Sequence, residues 1–316
     1  MNRRWCIIDV SNRCHAAFHT TGGLAHGGEP TGVLFGFFRD LRRYAAEFDT
    51  PDFVFAFDSG PGLREAAFPF YKETRRKRKF TDTEAAARDE LRRQIDGLRT
   101  KYLPELGYGN VFAAKGYEAD DVIASVVADL PPGDTAVIVS SDRDLYQLLS
   151  RRVSIWTPGK TGGMFGRDGF AALYGVHPTQ WPEVKAIAGD STDDITGVAG
   201  VGEPTAAKWV RGELGPGKKR DAIAAFTTRC TWCNTNHSGG PENCPDDDKR
   251  VFGTRYNVNL ELVTLPYPGC PAFRPVPDAP VAAAIWDRLC DKLGFSSLRN
   301  ERVREPVRTG TTNASR

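Results

Sequence analysis

Short apolar runs that end in carboxylates constrain the fold of this chain most strongly. The runs WCIID, DFVFAFD and TAVIVSSD end at Asp9, Asp58 and Asp142, and the less apolar stretch GNVFAAKGYE leads to Glu118. Near-continuous apolar runs of about five residues are typical of parallel strands that are buried on both faces. The sequence therefore predicts several buried strands, each followed closely by an acid.

Helical patterns lie between these runs. In the segment 84–98, Leu91, Ile95 and Leu98 fall on one helical face, and the segment 119–130 shows the same periodicity. This alternation predicts an α/β fold with a central, mostly parallel sheet flanked by helices. Because the carboxyl ends of the strands line the functional crevice in such sheets, we expect the strand-end acids to converge.

Charge and composition narrow the class of protein. The formal net charge of +2 conceals strong segregation, since residues 72–79 read KETRRKRK while acids gather elsewhere. The odd number of cysteines, seven, argues against a secreted disulfide framework. No apolar run approaches the length of a membrane span. We therefore expect an intracellular, cytoplasmic protein with no membrane partner.

Three acidic motifs, GYEADD, SSDRDL and GDSTDDI, predict metal binding. Packed carboxylates repel one another, and hard divalent cations such as Mg²⁺ offset that repulsion through oxygen ligands. Two such ions about 3.5–4 Å apart can promote phosphodiester hydrolysis. The acids therefore favour a site for two Mg²⁺ or Mn²⁺ ions. Each motif alone has an alternative reading, because acids in a first helical turn also interact with the helix dipole and single aspartates often belong to turns.

The order of the motifs resembles that of a known family, the structure-specific 5′-nucleases. IIDVSN, FAFDS, YKETR, GYEADD, SSDRDL and GDSTDDITGVAGVG follow one another as in flap endonucleases, the 5′→3′ exonuclease domain of bacterial DNA polymerase I and phage 5′→3′ exonucleases. The resemblance covers roughly residues 5–214 and more weakly 255–295. It implies a PIN-like nuclease core with a helical arch and a helix-two-turn-helix region that binds DNA.

The resemblance also implies roles for individual residues. The metal-site acids would be Asp9, Asp58, Glu118, Asp120, Asp121, Asp142, Asp144, Asp190 and Asp193. The catalytic cations would be Lys72 and Arg75, which can stabilise charge on a phosphate. The DNA-binding residues would be Tyr71, Arg76, Gly197, Gly200, Gly202, Lys208 and Arg211, with Tyr71 stacking on an unpaired base.

The glycine loop GVAGVG lies between two predicted helices. Its backbone N–H groups could approach a phosphate closely, although a plain αα-hairpin turn is the alternative. The resemblance implies a duplex grip with a K⁺ ion in the 197–202 loop. The preceding motif departs from the family pattern, because Asp194 replaces an Asn and Thr196 replaces a Pro. We expect this departure to alter the rigidity or charge of the loop without abolishing activity.

A cysteine-rich segment at about 228–250 resembles no part of the family pattern. Cys230, Cys233, His237 and Cys244 provide four candidate ligands for structural Zn²⁺. The spacing is near that of a zinc knuckle but not identical to it. The alternative is a polar loop with free thiols.

These observations predict a domain organisation and a function. We expect a catalytic domain over 1–180 with an arch at about 70–100, a DNA-binding region over 181–298 and a disordered tail over 299–316. The expected function is metal-dependent 5′→3′ exonuclease or flap endonuclease activity. The expected substrate is DNA with 5′ ends or flaps, including RNA–DNA primers, acted on by a monomer during replication or repair. Two alternatives remain, namely a non-catalytic DNA-structure-binding protein and a PIN-like ribonuclease.

Overall fold

A six-stranded, mostly parallel sheet forms the centre of the molecule. The computed structural model describes residues 2–60, 62–159, 162–228 and 254–299. The strands are β1 (Arg4–Asp9), β2 (Ala25–His26), β3 (Glu29–Pro30), β4 (Phe53–Ala56), β5 (Val111–Phe112), β6 (Thr135–Val139), β7 (Val153–Thr157), β8 (Gly163–Phe165), β9 (Gly189–Asp190) and β10 (Ile195–Thr196). The central sheet has the order β5-β4-β1-β6-β7-β8, and β8 is antiparallel to β7. The predicted α/β class is confirmed.

The register of the sheet explains why strand-end acids meet. Strand β1 pairs in parallel with β4 on one side and β6 on the other, so that Ile7 lies between Val54 and Ile138. All three side chains are fully buried. The three strands therefore end side by side, and the acids that follow them lie at one edge of the sheet.

Helices cover both faces of the sheet. They are α1 (Val10–Thr21), α2 (Gly32–Phe48), α3 (Leu63–Ala67), α4 (Glu73–Lys77), α5 (Asp82–Gly97), α6 (Leu103–Glu105), α7 (Ala119–Ala128), α8 (Arg167–Tyr174), α9 (Trp181–Ala188), α10 (Glu203–Val210), α11 (Lys218–Thr228), α12 (Arg255–Val263) and α13 (Ala283–Leu293). A π-helical turn follows α5 at Leu98–Tyr102, and 3₁₀ turns lie at Asp144–Leu148, Pro178–Gln180 and Ser296–Leu298.

Two apolar cores lie on opposite faces of the sheet. The first joins α1, α2 and α13, and in it the rings of Phe38 and Trp286 meet edge to face with centroids 5.9 Å apart. The second joins α7, α9 and α10 and contains Trp5, Val122 and Trp181. This second core includes residues from both sides of position 180. The proposed division of the chain into domains at that position stays a prediction.

The predicted arch segment consists of α4 and α5. The helix expected over 84–98 is present as α5, and its Thr81 cap accepts from the Glu84 N–H. Gln94 connects α5 to the start of α2. Its Oε1 accepts hydrogen bonds from the N–H groups of Val33 and Leu34 at 3.1 Å each. The role of this segment as an arch over DNA stays a prediction.

A short hairpin separates α9 from α10, where the sequence suggested a simple loop. Strands β9 and β10 pair antiparallel, with Asp190 opposite Ile195. Two glycines permit the close approach of their backbones. A Cβ on Gly189 would lie 2.3 Å from the Gly197 nitrogen, and Gly189 has a φ of 75° and a ψ of 176°, a region that essentially only glycine adopts.

Several predictions concern residues beyond the described ranges. The candidate zinc ligands Cys230, Cys233, His237 and Cys244 lie outside them, as does the tail from residue 300. The described cysteines, Cys6, Cys14, Cys270 and Cys290, are free thiols. No helix within the described residues is both long enough and apolar enough to cross a bilayer.

Replacing Gly189 by alanine should destabilise the protein far more than replacing Gly200. Gly200 also has a positive φ, of 72°, but nothing lies within 4 Å of its Cβ position. We expect Gly200→Ala to lower the free energy of unfolding by about 1–2 kcal/mol, and Gly189→Ala to cost about 2 kcal/mol more because its Cβ overlaps backbone. Chemical denaturation measures both. Equal losses would contradict the close packing of the two hairpin strands.

Candidate active site

Three acids follow β1, β4 and β6 at the same edge of the sheet. Asp9 ends β1 and caps α1, and its carboxylate accepts from the Asn12 N–H at 3.0 Å and the Ser140 hydroxyl at 2.8 Å. Asp58 accepts from the Ala119 N–H at the start of α7 at 2.9 Å. Asp142 accepts from the Asp144 N–H at 2.8 Å. Backbone and hydroxyl donors thus hold these carboxylates at the strand ends.

Burial and mutual repulsion raise the pKa values of Asp9, Asp142 and Asp120. Burial, together with the charges of Asp58 and Asp142, raises the pKa of Asp9 to about 7. Burial and the charge of Asp144 raise the pKa of Asp142 to about 6. Burial and the charges of Glu118 and Asp121 also raise the pKa of Asp120. Each of these carboxyl groups is hard to ionise in this environment, as expected for acids that lack a sufficient positive counter-charge.

A half-buried lysine, Lys72, pairs with two further acids. Lys72 Nζ lies 2.5 Å from Glu118 Oε1 and 3.7 Å from Asp193 Oδ2. Arg75 adds a contact of 3.1 Å to Asp193 Oδ1. Burial would raise the pKa of Glu118, but the charge and hydrogen bond of Lys72 outweigh it and lower that pKa. The two predicted catalytic cations therefore lie directly beside two predicted metal-site acids.

Lys185 forms ion pairs with another two acids. This role of Lys185 was not predicted from the sequence. Its Nζ lies 2.9 Å from Asp144 Oδ1 and 2.7 Å from Asp190 Oδ2, and the side chain is only 7% exposed. Burial raises the pKa of Asp190, but hydrogen bonds from Lys185 and Thr192 lower it to about 2. The available signal was a lone lysine within the apolar helix WPEVKAIAG, five residues before an acid.

Asp121 lies in a different environment from the acids that Lys72 and Lys185 bridge. Its side chain is fully buried and forms two bonds with the Arg64 guanidinium, Nη1–Oδ2 at 2.6 Å and Nη2–Oδ1 at 2.8 Å. The N–H groups of Glu118 and Tyr267 donate to the same carboxylate at 3.1 and 2.7 Å. Its lone pairs are thus engaged by the protein. In this structure Asp121 joins α7 to α3, and its role as a metal ligand stays a prediction.

The predicted DNA-binding residues are not all exposed. Tyr71 is 3% exposed, and its hydroxyl lies 3.0 Å from Glu118 Oε2, so its ring is not available to stack on a base in this structure. The Arg76 guanidinium donates to the carbonyls of Tyr71 and Pro69. Arg211 is paired with Glu213 at 2.6 Å, whereas Lys208 is exposed on α10. Of these four side chains, those of Arg76 and Lys208 are exposed.

The glycine loop borders a groove at the hairpin. A depression of 650 Å³ is lined by residues of 188–202, among them Asp190, Gly197, Gly200 and Gly202. Gly202 lies immediately before α10, whose Pro204 has no N–H and whose Thr205 and Ala206 N–H groups donate to the Gly202 carbonyl at 3.0 Å. Binding of a phosphate by the glycine loop stays a prediction.

The chemistry of the donor set fits divalent cations. The acids supply the oxygen ligands that Mg²⁺ and Mn²⁺ prefer. The raised pKa values of Asp9, Asp120 and Asp142 come first from burial and then from the charges of neighbouring acids. Within the described residues, no three His, Cys, Asp or Glu side chains form a complete ligand cluster. The acids are spread over the strand ends and the hairpin, and five of them (Glu118, Asp121, Asp144, Asp190 and Asp193) are paired with Lys or Arg side chains.

Comparison with known proteins identifies the family. The model of the 5′-3′ exonuclease N-terminal resolvase-like domain matches residues 4–175. This match covers more than half of the chain, and the chain therefore belongs to this family of 5′-nucleases. The predicted family is confirmed.

The curated relatives of the chain include bacterial DNA polymerases I. The chain is 32% identical over 208 residues to thermostable DNA polymerase I of Thermus aquaticus, a match that covers 65% of this chain and 23% of the polymerase. It is 33% identical over 212 residues to DNA polymerase I of Mycobacterium leprae, with 65% and 22% covered. The chain thus spans less than a quarter of the length of these relatives.

Two solved structures share the fold. The T5 D15 protein, co-crystallised with metal ions, has a TM-score of 0.63 and 20% identity, with 83% of this chain and 89% of that chain covered. Human GEN1 in complex with Holliday junction DNA has a TM-score of 0.55 and 15% identity, with 93% and 68% covered. At these identities the likeness is one of fold.

In EDTA, Asp121→Asn should lower the stability of the protein, whereas Asp142→Asn should not. Asp121→Asn removes the main counter-charge of the buried Arg64, leaving only Glu118 at 3.9 Å, and should lower the free energy of unfolding by about 3 kcal/mol. Asp142→Asn keeps an acceptor for the Asp144 N–H and removes a repelling charge, so stability should be equal or higher. Urea denaturation compares them. A loss for Asp142→Asn as large as that for Asp121→Asn would mean that both acids are structural.

Lys185→Met should destabilise the protein when divalent cations are absent. The substitution leaves Asp144 and Asp190 facing each other without their shared counter-charge, and we expect a loss of about 3 kcal/mol in EDTA. Lys292→Met serves as the control, because that lysine forms an exposed pair with Glu105 at 3.3 Å and should change little. Losses of the same size in the two variants would contradict the role of Lys185.

Proposed function

We propose that this chain is a divalent-metal-dependent 5′-nuclease that hydrolyses phosphodiester bonds at 5′ ends or flaps of duplex DNA. One observation carries the proposal. Asp9, Asp120 and Asp142 have raised pKa values, and Lys72 and Arg75 pair with Glu118 and Asp193, whose charges act on Asp120 and Asp142. Negative side chains for cations and positive side chains for phosphate are thus found together. Membership in the 5′-nuclease family supports the same activity.

The proposed roles follow from position and charge. Asp9, Asp58, Asp120 and Asp142 would hold divalent cations at the strand ends, with Glu118, Asp144, Asp190 and Asp193 around them. When bound, such cations lower the pKa of water and neutralise charge on a phosphodiester. Lys72 and Arg75 are paired with Glu118 and Asp193 here. Once those acids are neutralised, the two cations would be released to contact the scissile phosphate.

The substrate would be recognised by shape. The glycine loop in the hairpin groove and the exposed Lys208 on α10 would contact a duplex backbone, and such contacts do not depend on base sequence. A K⁺ ion in the 197–202 loop would add positive charge there. The T5 D15 protein is solved with metal ions and GEN1 with a DNA junction, which supports the same ligand classes for this chain. Primer or flap removal in replication or repair, by a monomer, is the proposed setting, with RNA–DNA primers among the substrates.

A labelled 5′-flap duplex tests the function directly. The protein is incubated with the duplex in Mg²⁺ and, separately, in EDTA. We expect cleavage near the branch that is absent in EDTA. Binding without cleavage, in Mn²⁺ as well, would indicate a non-catalytic DNA-structure-binding protein. Cleavage of single-stranded RNA with none of the flap would indicate a PIN-like ribonuclease.

Asp142→Ala and Lys72→Ala should each abolish most cleavage without preventing binding. Asp142→Ala removes a cation ligand, and Lys72→Ala removes positive charge beside the phosphate. We expect kcat to fall by about 10²–10³-fold in each, with the Kd for the flap duplex measured in Ca²⁺ changed less than threefold. Lys77→Ala, an exposed lysine on the same segment, is the control. Wild-type turnover in the Asp142 variant would disprove the assignment of the cation site.

A further inference from the structure

The tip of the β9–β10 hairpin contacts the start of α4 through a carboxylate that the proposed cation site does not use. Asp194 Oδ2 accepts from the Thr74 N–H at 2.8 Å, and Asp194 Oδ1 accepts from the Thr74 hydroxyl at 2.7 Å. The two residues lie 120 positions apart in the sequence. The contact therefore joins two segments that are distant from each other in the sequence.

Asp194 satisfies a need that α4 cannot meet by itself. The first N–H groups of a helix lack partners within the helix, and Thr74 is the second residue of α4. The residue before the helix, Lys72, provides no side-chain cap and has a left-handed backbone with φ of 53°. A carboxylate at a helix start accepts such an N–H and interacts favourably with the helix dipole. Asp194 thus caps α4 from another part of the chain.

Further bonds connect the same two segments. The Lys72 N–H donates to the Asp193 carbonyl at 3.0 Å, and the Arg75 guanidinium lies 3.1 Å from the Asp193 carboxylate. Asp194 itself has φ of 58°, a conformation that Asp tolerates better than most residues. The hairpin tip therefore holds the segment that carries Lys72 and Arg75 at several points.

We propose that Asp194 is a positioning residue that caps α4 and thereby sets the location of Lys72 and Arg75 relative to the glycine loop. The proposal rests on the proposed function, since it concerns the two cations of that reaction. Residues 189–202 also line the hairpin groove. A duplex backbone bound in that groove therefore restrains the same hairpin that holds α4, and substrate grip is coupled to cation placement.

Limited trypsin digestion of the free protein tests the cap without any substrate. Residues 75–79 read RRKRK and offer several cleavage sites. We expect Asp194→Ala to increase cleavage there about tenfold, because the helix start loses its cap and opens more often. Asp194→Asn should restore the wild-type rate, since its amide oxygen accepts from the Thr74 N–H and its NH₂ donates to the Thr74 hydroxyl. Ser191→Ala, exposed in the same hairpin, is the control.

Several digestion results would overturn the proposal. Equal cleavage at 75–79 in Asp194→Ala and wild type would show that the cap does not hold the segment. Cleavage in Asp194→Asn as fast as in Asp194→Ala would show that the hydrogen bonds are not responsible. Faster cleavage along the whole chain with a lower Tm would show that Asp194 supports the fold in general.

Flap cleavage supplies the second readout. Asp194→Ala should lower kcat about tenfold and leave KM for the flap duplex within twofold, and Asp194→Asn should have wild-type kcat. A raised KM with unchanged kcat would overturn the positioning role. If the wild-type protein does not cleave the flap, the proposed function fails, and the digestion result still decides whether Asp194 caps α4.

Discussion

Repulsion among carboxylates at one edge of the sheet is the constraint on which the rest of the structure depends. Parallel strands β1, β4 and β6 end side by side, so the acids that follow them cannot avoid one another. Burial disfavours their charged forms and the repulsion adds to this cost, so the pKa values of Asp9 and Asp142 are raised. Such an arrangement persists only if positive charge is brought to the same place.

The protein brings that charge from three different segments. Lys72 comes from the start of α4, Lys185 from the buried face of α9, and Arg64 from α3. Arg64 neutralises Asp121 completely, and the two lysines each bridge a pair of acids. The hairpin between α9 and α10 must therefore fold back tightly so that Asp190 and Asp193 reach these lysines, and Gly189 and Gly197 permit that close approach. The acids at the strand ends receive the least compensation, which makes them the best candidates for binding cations.

Much of this arrangement could be predicted from the sequence, for identifiable reasons. Buried strands are recognisable as continuous apolar runs, and parallel strands bring their ends together, so the positions of Asp9, Asp58 and Asp142 followed from pattern alone. The ion pair of Asp121 could not be predicted, because its spacing from Glu118 reports a shared helical face but not the partner on that face, and Arg64 lies 57 residues away. Lys185 was missed for the same reason, since its partner Asp144 comes from a different segment. Tyr71 is buried in a cluster with Ala186, Ile195 and Leu262, which come from other segments and are not indicated by its local sequence.

The dependence of Tm on Mg²⁺ concentration tests the central claim that the strand-end acids lack positive charge which a divalent cation supplies. A ligand at 100 times its Kd stabilises the folded state by about 2.7 kcal/mol, which for a chain of this size raises Tm by roughly 5 °C. We predict a rise of this size for the wild type and less than half of it for Asp142→Asn. Asp168→Asn, an aspartate with a side chain 90% exposed, should match the wild type. No rise in the wild type, or an equal rise in Asp142→Asn, would contradict the account.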